Sequence, residues 1–260
     1  MIEAIFFDID GTLISFKNHT IPESTIKALY KLHKKGIKIF IATGRDKKSL
    51  ATLQKLPFDG FITLNGQYCF SKDKVLYENA IASSDIHSLL AYLDKKTIAC
   101  GMISEDEKYF NIRNERVEEL HKITKNDGNS SSNLHKLKNQ KIYQCMLFVD
   151  EIEENEIMKL LPNCISSRWH HLFCDVSPKG GTKQKGIDQF LAHFDIDLTK
   201  TMAFGDGGND ISMLEHVAIG VAMGNASKEV KAIADYVTDD VDNDGIVKAL
   251  QYFGVLTKGE

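Results

Sequence analysis

Apolar and polar positions alternate along this chain in two different rhythms. Over the first eighty residues, continuous apolar runs are separated by amphipathic stretches. Ala4 to Ile9 is a run rich in Ile and Phe, broken only by Asp8, which is how a parallel strand buried on both faces reads. Pro22 to Lys35 carries apolar residues at Ile26, Leu29, Tyr30 and Leu32 before Gly36. A first-turn proline and a stopping glycine bracket a helix there. Ile37 to Ala42 reads as a second buried strand ending at Thr43-Gly44-Arg45, Ser49 to Leu56 as a helix, and Phe61 to Leu64 as a third strand. Strand, helix, strand, helix, strand predicts right-handed crossovers and an open parallel sheet. The same rhythm returns late in the chain. Thr182 to Phe194 reads as a helix, Thr201 to Phe204 as a strand and Asp210 to His216 as a helix. Short strands come next at Ala218 to Val221 and Asp235 to Val237, around a helix at Ser227 to Ala234.

The middle of the chain has another texture. Ser84 is placed to cap a helix running through Leu89, Leu90 and Leu93. Tyr109 to Ile112, Ile142 to Val149 and Trp169 to Asp175 read as strands with polar connections, and Asn126 to Asn133 as a Gly/Ser/Asn loop. This predicts an α/β fold: a Rossmann-like parallel-sheet core, residues 1–80 and 181–260, interrupted by an inserted α+β domain, residues 81–180.

Composition narrows the classes of function. A chain of 260 residues with 43% hydrophobic and 26% charged residues is an ordinary globular composition. The net charge of -4 gives no electrostatic footprint for nucleic acid or an anionic membrane. Unbroken apolar runs reach only five residues, as at Cys145 to Val149, far short of the roughly 20 residues that span a bilayer. The first residues lack a basic region of the signal-peptide kind. Cys69, Cys100, Cys145, Cys164 and Cys174 are scattered without a C-x-x-C, which argues against a disulfide framework or zinc site. A cytoplasmic monomer acting on a small molecule is the expectation.

Chemistry-bearing residues gather where predicted strands end: Asp8-Ile9-Asp10-Gly11-Thr12, Thr43-Gly44, and Gly205-Asp206-Gly207-Gly208-Asn209-Asp210. Lys183 opens the helix leading into the fourth core strand. Ligands of open α/β sheets bind in the crevice outside those strand ends. Asp8 alone reads equally well as a helix cap. Convergence of Asp8, Asp10, Asp206 and Asp210 on one crevice favours a cation, since each like-charge pair near 4 Å costs about 4 kcal/mol at an effective dielectric of 20. An all-oxygen donor set suits magnesium.

Together, D-x-D-G-T after an apolar strand, a strand-end T-G-R, a downstream Lys and G-D-G-G-N-D resemble the haloacid dehalogenase superfamily of phosphotransferases. The four motifs stand in that family's order and span essentially the whole chain. Thirty-five residues from Asp8 to Thr43 leave no room for a cap domain, whereas 140 from Thr43 to Lys183 do. A cap placed there is that of the type with an α/β (C2B) cap, and the chain is similar to its Cof-like branch, subfamily IIB. "GTKQKGID", "FGDGGNDISML" and "IGVAMGNA" resemble its bacterial hexose-phosphate phosphatases in particular.

The resemblance implies that Asp8 is the nucleophile and that Asp10 is the general acid and base. It also implies that Asp8, the carbonyl of Asp10 and Asp206 hold magnesium, that Thr43, Gly44, Arg45, Lys183 and Asn209 bind the phosphoryl group, and that Asp210 orients Lys183 or metal-bound water. Phosphosugar mutases of the phosphomannomutase kind, and phosphatases of disaccharide or cofactor phosphates, resemble the chain on the same grounds.

Three features compete with this assignment. Asp240 to Gly245 matches half of an EF-hand loop, but Gln251 stands where its bidentate Glu is required, and a turn before the last helix fits as well. Lys179 lies close to Lys183, which alone opens the helix. In the insertion, Arg168 and Trp169 are placed either to read and stack on a sugar or simply to pack the domain.

Overall fold

The computed structural model describes residues 1–72, 74–124, 129–130 and 133–257. They form two compact units. One comprises Met1–Arg45, Leu50–Tyr77 and Thr182–Glu260; the other comprises Asp46–Ser49 and Glu78–Gly181.

The first unit is built on an eight-stranded sheet. Its parallel part runs, in spatial order, Tyr236–Val237, Ile219–Ala222, Thr201–Gly205, Ala4–Phe7, Lys38–Ala42 and Gly60–Thr63. Every residue of Ala4–Phe7, Gly60–Thr63 and Thr201–Gly205 is buried, as strands sandwiched between helices must be. Helix Glu23–Lys34 buries Ala28, Leu29 and Leu32, and helix Lys183–Phe194 buries Ile187, Phe190 and Leu191. Ring pairs across neighbouring strands, Phe6 on Phe40 at 4.9 Å and Phe7 on Phe204 at 5.1 Å, pack the two faces.

Register matters most for the site. Phe7 lies opposite Ile41 and Phe204, and Ala42 opposite Ile62, so these strands end level with one another. Asp8, Thr43 and Asp206, each just past a strand end, emerge at one rim.

Two edge strands, Tyr68–Ser71, antiparallel to Gly60–Thr63, and Val75–Glu78 beyond it, extend the sheet past its parallel part. Ser49 to Leu56 is not an α-helix but two 3₁₀ turns, Lys47–Leu50 and Leu53–Lys55. Asp46 Oδ1 draws in the amide and hydroxyl of Ser49. Leu56 is extended, at ψ 164°, because Pro57 disfavours helical backbone before it. The helix expected over Asp210 to His216 contracts to Ile211–Leu214 behind a 3₁₀ turn at Gly208–Asp210.

The second unit is α+β. A six-stranded sheet orders Cys164–His170, Phe173–Pro178, Gln144–Leu147, Cys100–Ile103, Lys108–Phe110 and Asn129–Ser130, antiparallel except for the last pair. Helices Ser83–Leu93 and Glu151–Met158 close over a core that includes Leu89, Leu147, Ile157 and Val176. Ser84 is inside the first turn of its helix and does not cap it. Trp169 to Asp175 is not one strand: the chain reverses at His171-Leu172, with His170 opposite Phe173. No glycine or asparagine marks that turn in the sequence. Of the polar stretch Asn126 to Asn133, residues 126–128, 131 and 132 lie outside the described residues, and Asn129–Ser130 pairs as a short strand.

Candidate active site

Asp8 leaves its strand with its amide on the carbonyl of Phe204, 3.0 Å away, and its side chain only 8% exposed. A carboxylate so placed requires compensation. Lys183 supplies it: its Nζ donates to Asp8 Oδ1 at 2.6 Å and to Asp210 Oδ1 at 2.5 Å, with none of its side chain exposed. Thr182 accepts the amide of Lys185, so the helix starts at Lys183 and points its first side chain inward. The other oxygen of Asp210 accepts the amides of Asp206 and Gly207, both at 2.9 Å. Asp210 therefore fixes both the lysine and the loop that carries Asp206.

Asp206 sits beside this pair. Its Oδ1 takes the Thr12 hydroxyl at 3.3 Å and its Oδ2 the amide nitrogen of Asn225 at 3.0 Å; Asn225 also donates to the carbonyl of Gly11. Gly11 is at φ +82°, and a Cβ there would stand 2.2 Å from Asp206 Oδ2, so the loop can approach the carboxylate only with glycine. Carboxylate oxygens of Asp8, Asp206 and Asp210 fall within 4.8 Å of one another. Burial, then the charge of Asp210, pushes the Asp8 pKa from 3.8 up to about 8 against the pull of Lys183. The same two causes push Asp206 up to about 6, with the Thr12 hydrogen bond opposing them. Burial works against the charge of Lys183, yet Asp210 and Asp8 outweigh it and raise its pKa.

This crowding of oxygen-only donors fits a hard divalent cation. Asp8 Oδ2 has no hydrogen-bond partner among the described residues, whereas both oxygens of Asp210 are engaged. Asp8 is therefore better suited to hold an ion than Asp210; Asp206, though Thr12 and Asn225 engage its two oxygens, is the less buried of the other two. The same carboxylates make thermal stability depend on pH. The folded state holds protons on Asp8 and Asp206 that the unfolded state has released, so the metal-free protein loses stability as pH rises from about 4 to 8. An ion binding the ionised carboxylates reverses that loss. Added magnesium at a hundred times its Kd should stabilise by about 2.7 kcal/mol. The rise in Tm should be larger at pH 8 than at pH 5.5; an equal or smaller rise at pH 8 would contradict the role of these carboxylates.

The remaining sequence candidates divide between the two units. Thr43, Gly44 and Asn209 lie in the first unit with Asp8. Thr43 is buried and its hydroxyl accepts the amide of Arg45. Arg45, expected among the phosphate ligands, forks its guanidinium onto Asp10, at 2.9 and 2.6 Å. Arg168 belongs to the second unit. It is held there by Glu154 at 2.6 and 2.9 Å and by the carbonyls of Val149 and His171. Trp169 lies in the same strand, and its side chain is outside the described residues. Lys179 donates to the carbonyl of Pro162. In the aspartate-rich turn, Asp242 pairs with Lys17 and Asp244 accepts the Ser24 hydroxyl. Sequence reasoning missed Asn65, whose Oδ1 accepts from Asn209 at 3.0 Å, and the clamp that Asn225 makes on Asp206.

The sequence profile of the haloacid dehalogenase-like hydrolases matches residues 5–250, and the chain belongs to that family. Within it, the chain is similar to the HAD subclass IIB sugar phosphatase BT4131, at 46% identity and a TM-score of 0.85, over 98% of this chain and 100% of that one. BT1666 from Bacteroides thetaiotaomicron, described among phosphatases of the same superfamily, is 38% identical with a TM-score of 0.89, over 98% and 96% of the two chains. YkrA of Bacillus subtilis (strain 168), named provisionally as a phosphatase, is 37% identical over 254 residues, 97% of this chain and 98% of its own. The protein is thus a phosphatase with a parallel-sheet core and an inserted cap, of a family that acts with a divalent metal on small phosphorylated substrates. Among the described residues no helix is long and apolar enough to cross a membrane.

Proposed function

We propose that the protein is a magnesium-dependent phosphatase of hexose phosphates and related small phosphorylated sugars, working through an aspartyl-phosphate on Asp8. The observation that carries this reading is the asymmetry of Asp8: Oδ1 is anchored on Lys183 while Oδ2 is unpartnered among the described residues, which leaves one oxygen aimed and available for phosphorus. Similarity to BT4131, named as a sugar phosphatase, supports the substrate class.

In the first half-reaction, Asp8 Oδ2 forms a bond to phosphorus as the bond from phosphorus to the sugar oxygen breaks. Asp10 gives that oxygen a proton once its carboxyl has left the Arg45 fork, which engages both of its oxygens here. In the second, Asp10 takes a proton from water as the water oxygen displaces Asp8, and inorganic phosphate leaves. The Thr43 hydroxyl, the Gly44 amide and Lys183 hold the phosphoryl oxygens through both steps, because catalysis of this transfer is chiefly positioning and charge neutralisation. Asp206, the Asp10 carbonyl and the oxygen of Asp8 that does not bond phosphorus would hold magnesium, which would supply further neutralisation and alignment.

The test is release of inorganic phosphate by the full chain from a panel of hexose phosphates, nucleotides and an aryl phosphate. Hexose phosphates should have the highest kcat/KM, and chelation should remove activity. Calcium should restore it poorly, since its longer bonds and looser geometry misplace the nucleophile. Full activity after thorough chelation, or an isomerised sugar phosphate without free phosphate, would overturn the reading.

A further inference from the structure

Leu64, Asn65 and Gly66 come directly after the third core strand with φ of 50°, 53° and 99°. Three successive left-handed residues are unusual, and Leu64 is a residue type that seldom adopts this conformation. Backbone of this kind persists only where its surroundings hold it, and such places cluster at functional sites. Here they are visible. The Leu64 amide donates to the Arg45 carbonyl at 3.1 Å and the Asn65 amide to the Thr43 carbonyl at 2.9 Å, so the turn is tied to the loop carrying Thr43 and Gly44. Gly66 is pressed against Thr182, where a Cβ would come 2.1 Å from the carbonyl oxygen, one residue before Lys183. The Asn65 side chain receives Asn209. One strained turn therefore meets three of the four motif segments.

The Asn65 amide is placed for more than bracing. A Cβ on Gly44 would lie 3.3 Å from both its Nδ2 and its Oδ1, so the group stands beside the Gly44 backbone. Oδ1 is occupied by Asn209. Nδ2 has no acceptor among the described residues, although the side chain is partly buried. An amide oriented by one neighbour, with its donor free beside the Gly44 amide, is built to donate to an anion.

We propose that Asn65 is a further phosphoryl-binding residue, its Nδ2 donating to an oxygen of the phosphoryl group beside Gly44 while Asn209 fixes its Oδ1. This rests on the phosphatase reading above, and it gives the strained turn a role, since the turn brings the amide beside Gly44.

The experiment separates side chain from backbone. Asn65→Gly accepts the positive φ and deletes the amide; Asn65→Asp keeps the shape but replaces the donor with a charge that repels phosphate. Binding of inorganic phosphate with magnesium present is measured by calorimetry for each, beside kcat, KM and Tm. Expected for Asn65→Gly is a Tm close to that of the unaltered chain with phosphate affinity lowered roughly tenfold to a hundredfold, the loss of one hydrogen bond to a charged group. Asn65→Asp should bind phosphate more weakly still. Unchanged phosphate affinity in whichever of the two variants is folded would overturn the proposal and leave Asn65 a turn residue. Ester hydrolysis by the unaltered chain decides the phosphatase reading separately, because the phosphate titration requires no turnover.

Discussion

Replacing Asp8 with Asn should lower kcat by at least about 10⁴-fold, as loss of a catalytic nucleophile does, while the protein stays folded. The amide nearly matches the carboxylate in size but is a poor nucleophile and cannot form a stable phosphoryl ester. Stability should not suffer. In the metal-free protein the Asp8 carboxylate is opposed by burial and by Asp210, so an uncharged group is easily accommodated there. Lys183 keeps Asp210 at 2.5 Å as its counter-charge. The rise in Tm on adding magnesium should shrink, because a ligand charge has been removed. Rapid quenching of the unaltered enzyme with substrate should leave a phosphoryl group on the peptide containing Asp8. Substantial phosphate release by pure, folded Asp8→Asn protein would refute the assignment.

Much of this site is legible in the chain because parallel sheets convert sequence position into spatial position. A run buried on both faces, such as Ala4–Phe7, has one way to end, and the next residue along the chain emerges at the rim. Three strand endings in register are enough to bring Asp8, Thr43 and Asp206 together. Lys183 requires more, since a helix-opening lysine is common; its burial between two carboxylates is evident only in three dimensions. Asn65-Gly66 carries no chemical signature in the sequence, where it reads as an ordinary turn. Its meaning lies in partners more than a hundred residues away, Thr182 and Asn209. Asn225 is hidden for the same reason.

The inserted unit is less legible. Its strands are short and neither glycine nor asparagine marks the reversal at His171-Leu172, which is therefore invisible to periodicity. Nothing in the sequence announces Glu154 as the partner of Arg168, fourteen residues earlier on a different element. The helix expected over Ser49 to Leu56 fails in a similar way: apolar spacing suggests it, but Asp46 winds the first turn tightly and Pro57 ends the segment.

Lys183→Met should be the most damaging single change to stability at the site. The lysine neutralises two carboxylates, and Asp210 cannot move away because its other oxygen holds the amides of Asp206 and Gly207. A methionine fills the space and leaves Asp8 and Asp210 facing each other in a buried setting. Breaking a buried pair from one side costs about 3–5 kcal/mol, which is roughly 2–4 °C in Tm for each kcal/mol in a protein of this size. The deficit should be larger at pH 8 than at pH 5.5. Lys183 holds the Asp8 pKa down, so near its value of about 8 the unaltered protein gains from ionising Asp8 and the variant does not, whereas at pH 5.5 Asp8 is protonated in both. Activity should fall by about 10²–10³-fold or more, because a preorganised charge on the phosphoryl group is lost along with the geometry of Asp8. The double variant Asp8→Asn with Lys183→Met isolates the electrostatic part. Removing the orphaned charge should restore part of the lost Tm. The interaction energy between the two positions should stand well above the scatter of about 0.3–0.5 kcal/mol that independent sites show. Additive losses in that cycle would mean that Lys183 stabilises the site by packing, not by its charge.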